Sequence, residues 1–257
     1  MAVIAWRNAA EAAGVSLSSN TQAPGLGVQS LLTPTIAEVW RSATGGAVTH
    51  WIGIDFGAVV PLRLLAIAAP RDGILPGTGA TWRVVLSNTS VGGTDVANPA
   101  FTALDMRRGV AATLLPAPVS ARYAQFIIRT VAGDPYLQLG RVWAGEALVT
   151  SRAVSYGWGR GVLDAGTVER APVSGVRYAQ RGATYRRLDF DLQLLPPEDA
   201  LALDEAGLAL GTTAQGFVSP LNDDLRHGMF GRFSEPPAPE QSNHRLFKAH
   251  IAFQEDL

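Results

Sequence analysis

Few residues of this 257-residue chain could do chemistry, because it holds four histidines and no cysteine. Without cysteine, thiolate catalysis, thiolate metal sites and disulfides are excluded. A Ser/His/Asp hydrolase needs its nucleophile on a constrained turn, and no G-x-S-x-G signature is present. We therefore expect a protein that is not an enzyme and that uses no cofactor.

The best cluster for a metal ion is formed by Asp223, Asp224 and His227, because oxygen and imidazole ligands at short spacing can hold a cation. Arg226 lies inside this cluster, and the spacing of an EF-hand calcium loop is absent. A solvated turn is therefore the favoured interpretation, and no metal ligand is predicted.

Two further patterns have ordinary structural explanations. The run 157–161 (GWGRG) has the glycines of a phosphate-binding loop, but no helix pattern follows it, so a turn or an interface is favoured. Glycoside hydrolysis would need two carboxylates that face each other. The acids that could supply them are Asp55, Asp72, Asp95 and Glu146. We interpret these acids as turn or edge residues, because aspartate commonly occurs in turns.

Tryptophan and arginine are the residue types suited to recognition, since indoles stack on sugar rings and guanidinium groups pair with anions. Each indole has a competing interpretation as a packing residue, because its apolar area is large. The predicted ligand-binding residues are Trp40, Arg71, Trp82 and Arg122. The residues predicted at an interface with a partner are Trp158, Arg160, Arg232, Phe233, Pro236 and Pro237.

Alternating apolar residues predict that β-strands carry most of these side chains. Residues 196–207 predict the one helix, with prolines at its start, acids in its first turn and a glycine at its end. Residues 231–241 are proline-rich and predict an exposed loop or arm. The predicted strands cover 50–61, 81–87, 121–131, 136–145, 187–195 and 244–253.

The charge and hydropathy of the chain restrict its partners. A formal net charge of −1 gives no overall attraction to nucleic acid or anionic lipid. No apolar run of about 18 residues and no signal-peptide pattern is evident, so we expect synthesis in the cytoplasm and no membrane span.

Five segments of the first half share the order and spacing of a known domain family: 38–42 (EVWRS), 51–57 (WIGIDFG), 82–87 (WRVVLS), 121–129 (ARYAQFIIR) and 139–145 (LGRVWAG). Together they resemble the discoidin (F5/8 type C, galactose-binding-like) domain. The resemblance implies a jelly-roll β-sandwich over residues 1–147 and a tendency to bind carbohydrate or surfaces, without naming a sugar. Ligand residues of that family do not transfer one by one, because its binding loops vary.

The second half, residues 148–257, resembles in general layout the β domain of tail-tip proteins of long-tailed bacteriophages. That likeness implies an all-β chain in which a smaller β-sandwich or barrel domain with one short helix follows the jelly roll. It also implies a structural component of a tail tip or baseplate, located in the virion, which contacts the tail tube and other tail-tip proteins and forms a homo-oligomer. The alternative is a free-standing carbohydrate-binding module or lectin, and the third possibility is a hydrolase accessory or catalytic protein.

Overall fold

A computed structural model describes residues 1–170, 172 and 174–256, and in it the chain is mostly β-structure with one α-helix. The predicted all-β fold class is confirmed. The strands are β1 (Val3–Ala5), β2 (Ser16–Ser19), β3 (Trp40–Arg41), β4 (Thr49–Ala68), β5 (Thr81–Ser87), β6 (Thr102–Ala103), β7 (Val110–Arg129), β8 (Gln138–Leu139), β9 (Arg141–Gly145), β10 (Leu148–Val149), β11 (Gly159–Asp164), β12 (Thr167–Arg170), β13 (Arg177–Gln180), β14 (Thr184–Leu195), β15 (Gly216–Ser219), β16 (Met229–Glu235), β17 (Glu240–Asn243) and β18 (Leu246–Glu255). The helix is α1 (Pro197–Leu210), and short 3-10 turns cover Ala9–Glu11, Val28–Leu32 and Leu225–His227.

Strands β4 and β7 organise the first half, because they pair antiparallel from Thr49 opposite Arg129 to Ala68 opposite Val110. The pairing is interrupted by a bulge after Asp55, where Gly57 takes a φ of 73° that other residues rarely adopt. Strands β2 and β5 flank one end of this pair, and β9 joins β4 at the other. Side chains from both ends meet in one core, so the bent sheet closes on itself as a sandwich.

The second half forms one eight-stranded sheet, in the order β10-β1-β15-β16-β18-β14-β11 with β17 beside β18. Successive side chains of a strand point to opposite faces of the sheet, and over the central strands both faces are buried. Ile4, Val218 and Phe233 face Leu203 and Leu210 of α1. On the other face, three apolar side chains of the same strands pack on the first half: Val3, Phe217 and Phe230.

Strand β4 explains how the two halves become one layered body. Leu65 and Ile67 point into the core of the sandwich, whereas Leu64 and Ala66 point at the second sheet. Trp143 of β9 joins them there, with its ring centroid 5.7 Å from that of Phe230. The continuous apolar run 64–69 is therefore a strand that is buried on both faces.

The first strand belongs to the second sheet, since Val3–Ala5 pair with β15 and the first two of them with β10. Residues 1–147 therefore contain one strand whose partners lie beyond the predicted boundary. That boundary stays a prediction, and Leu257 lies outside the described residues. No helix of the described residues is long and apolar enough to span a bilayer.

Most predicted elements are confirmed, including the helix and the strand at 81–87, which is β5. The prediction for residues 231–241 is wrong, because β16 and β17 occupy most of them and only 236–239 connect the two strands. Phe233 is buried beneath α1, and Pro237 is buried at Gly207 of that helix. Apolar alternation and helix packing therefore outweigh the proline content of this stretch.

Candidate functional site

Two of the predicted ligand-binding residues are core residues. Trp40 is fully buried and Trp82 is 4% exposed, both in the core of the sandwich. Their indole faces contact protein, so the prediction that they stack on a ligand is wrong, and their alternative interpretation as packing residues applies. The large apolar area that suggested stacking is what places them inside.

Arg122 is at the surface, but its charge is already matched. Its Nε and Nη2 donate to the two carboxylate oxygens of Asp55, at 3.0 and 3.2 Å. Its guanidinium carbon also lies 5.0 Å from the ring centroid of Tyr123. The hydrogen bonds from Arg122 hold the pKa of Asp55 below its ordinary value. Arg122 therefore has an internal role at this edge of the sandwich.

The predicted interface residues also divide between the core and the surface. Phe233 and Pro237 are buried, which removes them from any surface contact, whereas Pro236 is exposed. Arg232 donates from Nε to Asp256, at 3.1 Å. Trp158 is half-buried and meets the ring of His227 edge-on, with centroids 5.4 Å apart.

The structure brings one predicted ligand residue, Arg71, together with one predicted interface residue, Arg160. Both line a cleft of about 410 Å³ between the two halves of the chain, which we call the arginine cleft. Buried Ala68, Val110 and Phe230 form part of its lining. The other charged residues on its walls are Arg107, Arg108, Arg186, Glu255 and Asp256.

Tight turns and strand edges place these arginines. Arg71 follows β4 in a turn closed by a hydrogen bond from the Gly73 N–H to the Pro70 carbonyl, at 3.1 Å. Arg108 precedes β7 in a turn where the Gly109 N–H donates to Met106, at 2.8 Å, and Gly109 has a φ of 77°. Arg160 and Arg186 lie on the paired strands β11 and β14, so two loops of the first half face two strands of the second.

The carboxylates around the arginine cleft are already paired with other cations. Asp105 accepts from Nε and Nη2 of Arg107, at 2.9 and 2.7 Å, and these hydrogen bonds lower its pKa to about 2. Glu255 accepts from Arg186. Asp256 accepts from Arg232 at 3.1 Å and from the Gln215 amide at 3.0 Å. None of these acids neutralises Arg71, Arg108 or Arg160 by a salt bridge between described residues.

His227 is the shared contact of Arg108 and Arg160, whose Nη atoms lie 3.1 and 2.7 Å from its Nδ1. Both guanidinium groups can only donate, so the hydrogen-bond network assigns Nδ1 as an acceptor and the imidazole as neutral. Burial, followed by the charges of Arg160 and Arg108, lowers the pKa of His227. Its Nε2 lies 3.5 Å from the carboxylate of Asp224.

Asp224 begins the short turn at Leu225–His227, where it accepts from the Arg226 backbone N–H at 3.1 Å. Its carboxylate also binds the Arg226 side chain, with both contacts at 2.7 Å. The Arg226 hydrogen bonds lower the pKa of Asp224 to about 2. The cluster considered for a metal ion thus has a structural function, which is to hold His227 beside the arginine cleft.

Sequence reasoning missed Arg108, Arg186 and the position of His227. The available signal was a pair of arginine doublets, at 107–108 and 186–187, each adjoining or inside a strand pattern. Nothing in the sequence of either doublet indicates that both contribute to one cleft, because their proximity depends on how the two halves of the chain pack.

No protein-family description matches this chain, and a search of curated proteins finds no relative. Solved structures are similar to it over about half its length. One is the family 32 carbohydrate-binding module of C. perfringens NanJ in complex with galactose, which has 13% identity and a TM-score of 0.44 and covers 56% of this chain and 98% of its own. The lectin domain of lectinolysin complexed with Lewis B antigen has 17% identity and a TM-score of 0.43, covering 55% of this chain and 98% of its own. A fucose-binding module of Streptococcus pneumoniae has 11% identity and a TM-score of 0.42, with coverage of 55% and 98%.

Proposed function

We propose that this chain is a carbohydrate-binding protein without catalytic activity, and that its ligand occupies the arginine cleft. The observation that supports this proposal best is the cleft itself, where guanidinium donors from both halves surround an apolar floor. Ligand sites in proteins commonly combine an apolar lining with a few convergent polar groups, in volumes of about 300 to 1,000 Å³. The resemblance of the sequence to discoidin domains supports a glycan as the ligand.

The lining suits a ligand that is polar at its edges and apolar on one face. Leu75 and Val162 contribute apolar surface, and the side chain of Val162 is 71% exposed. Arg71 contributes hydrogen-bond donors from the first half of the chain, and Arg160 contributes donors from the second half. A sugar ring presents hydroxyl groups around its rim and C–H groups on its face, and so can satisfy both kinds of surface.

A glycan array probed with the labelled, multimerised full chain tests this proposal. We expect binding to a defined subset of glycans, and loss of that binding in an Arg71→Gln, Arg160→Gln double variant. As a control, Arg129→Gln removes one arginine charge at the end of β7, whereas Val110, which lines the cleft, lies at its start. This variant should leave the binding pattern unchanged. An array with no binding by the multimer, or with equal binding by the double variant, contradicts the proposal.

The second candidate function is a structural role in a phage tail tip, in the virion, with contacts made by residues 148–257. The hairpin of β12 and β13 is the observation that favours it, because every residue of both strands is exposed, including Val168 and Tyr178. Exposed apolar side chains that lie together can form a surface that another protein covers. The partner would be a neighbouring tail-tip subunit or a second copy of this chain.

Replacing residues 166–182 with a short glycine turn tests the structural role. Within the part of the chain that the structure describes, β12 and β13 pair only with each other, so we expect the variant to fold and to bind glycan as the parent does. If the structural role is correct, the variant should lose oligomers seen by light scattering and should fail to enter tail particles. A parent that is monomeric at high concentration, together with normal incorporation of the variant, contradicts this candidate.

A further inference from the structure

We infer that the arginine cleft selects ligands carrying an oxyanion, meaning a carboxylate, sulfate or phosphate group, and that Arg71, Arg108 and Arg160 bind it. For the rest of the ligand, the inference relies on the proposed carbohydrate-binding function. For the anion itself, it relies only on the contacts and charges of the cleft.

The charges that line the arginine cleft are not balanced. Five arginines and two acids line the cleft: Arg71, Arg107, Arg108, Arg160, Arg186, Glu255 and Asp256. Glu255 is paired with Arg186, Asp256 is paired with Arg232, and Arg107 is paired with Asp105. Three positive charges therefore remain without an acidic partner among the described residues.

The side chains of Arg71, Arg108 and Arg160 donate hydrogen bonds to neighbouring protein groups. Arg71 donates to Thr184 Oγ1, while Arg108 and Arg160 reach His227 Nδ1 and the carbonyl oxygens of Arg226 and His227. All of these acceptors are neutral. A guanidinium group has five N–H donors, so each of the three keeps several for a ligand. The Nε of Arg160 is shielded from solvent and has no partner among the described residues.

Two of these positive charges lie close together. Arg108 and Arg160 contact the same nitrogen, so their donor atoms lie within about 6 Å of each other, where like charges repel. Desolvation, followed by the charges of Arg108 and Arg186, lowers the pKa of Arg160, and the charges of Asp224 and Glu255 offset this shift only in part. A guanidinium group still remains charged. An oxyanion between these groups removes the repulsion and accepts their free donors.

The chemical class of ligand follows from this arrangement. Planar guanidinium groups match carboxylate, sulfate and phosphate oxygens with two parallel hydrogen bonds, which a neutral hydroxyl cannot accept equally well. The proposed ligands are therefore acidic saccharides, such as uronic acids and sulfated or phosphorylated sugars, and neutral sugars should bind far more weakly.

Nuclear magnetic resonance of the histidine side chains provides the test, since the chain has only four histidines and a His227→Gln variant assigns the signal. The probes are glucuronic acid against glucose, galactose 6-sulfate against galactose, and inorganic sulfate. We expect the acidic sugars and sulfate to shift the His227 resonance and raise its pKa, because a bound anion offsets the neighbouring arginines. The two neutral sugars should produce neither change.

Matched variants locate the anion. Each of Arg71→Gln, Arg108→Gln and Arg160→Gln should weaken binding of galactose 6-sulfate about tenfold, as expected for loss of a charge-assisted hydrogen bond. Arg129→Gln should change the affinity less than twofold. If a cleft variant fails to fold, the titration of His227 in the parent chain still decides the question.

The inference is overturned if acidic and neutral sugars bind equally, or if the acidic probes leave His227 unchanged at saturating concentration. Its failure is distinguishable from failure of the proposed function. Neutral glycans that bind as tightly as acidic ones, and that lose this binding in the Arg71→Gln, Arg160→Gln double variant, would keep carbohydrate binding in the cleft and remove its selectivity for oxyanions. Inorganic sulfate that shifts His227 while no glycan binds would keep the oxyanion site and remove carbohydrate binding.

Discussion

Arginine has opposite roles in the sandwich and in the arginine cleft. In the sandwich, Arg141 is 1% exposed and donates to the carbonyls of Leu32 and Thr33, at 2.7 and 2.8 Å, and to the carboxylate of Glu11. In the cleft, Arg160 is half-buried, and among the described residues its side chain donates hydrogen bonds only to His227. Arginine thus stabilises the fold where the protein supplies its acceptors, and is available to a ligand where the protein does not.

The tryptophans follow the same division. Trp40 is buried in the core of the sandwich. Trp143 is buried where the sandwich contacts the second sheet. Trp158 keeps part of its ring at the surface beside His227. Residue type alone therefore does not separate a packing residue from a binding residue. Substitutions in the sandwich and in the arginine cleft should have different effects on stability and on binding.

Trp40→Ala should have the largest effect on stability, because it empties a fully buried volume in the core of the sandwich. We expect a loss of about 3 to 5 kcal/mol in the free energy of unfolding, measured by chemical denaturation. The fraction that remains folded should bind galactose 6-sulfate with unchanged affinity. Wild-type stability combined with lost binding would reassign Trp40 to the ligand site.

Arg141→Leu should come next, with a loss of about 2 to 3 kcal/mol, because it removes hydrogen bonds from a buried cation to two carbonyls and a carboxylate. Arg160→Leu is the matched control and should change unfolding by less than about 1 kcal/mol. Equal losses in the two variants would contradict the division between structural and ligand-binding arginines.

Strand and helix positions were predictable because they depend on local alternation and on helix-end signals, as at β5 and α1. The site was predictable only in part. The chemistry of the guanidinium group predicts Arg71 as a ligand residue and Arg160 as an interface residue. Their proximity depends on how the two halves pack, which the two buried faces of β4 make possible. A continuous apolar run is compatible with several packings, so residues 64–69 alone do not identify the sheet that covers them.

Stability should fall as the pH decreases from about 6.5, the ordinary pKa of histidine. His50 is fully buried, and desolvation lowers its pKa, although the charge of Asp134 opposes this shift. The unfolded chain therefore binds protons at His50 and His227 in a range where the folded chain does not, which favours unfolding.

Denaturation curves at pH 7, 6 and 5 measure this dependence, and His50→Phe should reduce it. A further loss is expected below pH 4, where Asp95, Asp105 and Asp224, whose pKa values are lowered to about 2, begin to favour unfolding. Stability that is independent of pH between 7 and 5 would contradict the assignment of neutral imidazoles.

Arg122→Gln should have the smallest effect, below about 1 kcal/mol, because its ion pair with Asp55 is partly exposed. Binding of acidic sugars should be unchanged, since the charge of Arg122 is matched within the sandwich. A tenfold loss of affinity would place the ligand at this edge of the sandwich and restore the original prediction for Arg122.

The most direct test of the account is a crystal structure of the full chain soaked in selenate, an anomalous scatterer with the shape of sulfate. We predict a selenium peak in the arginine cleft, with selenate oxygens within hydrogen-bond distance of Arg108 and Arg160. Arg160→Gln crystals should lose that peak and keep any weaker peaks elsewhere. Selenate found only outside the cleft, or an acidic side chain of the protein occupying the cleft, would contradict the account.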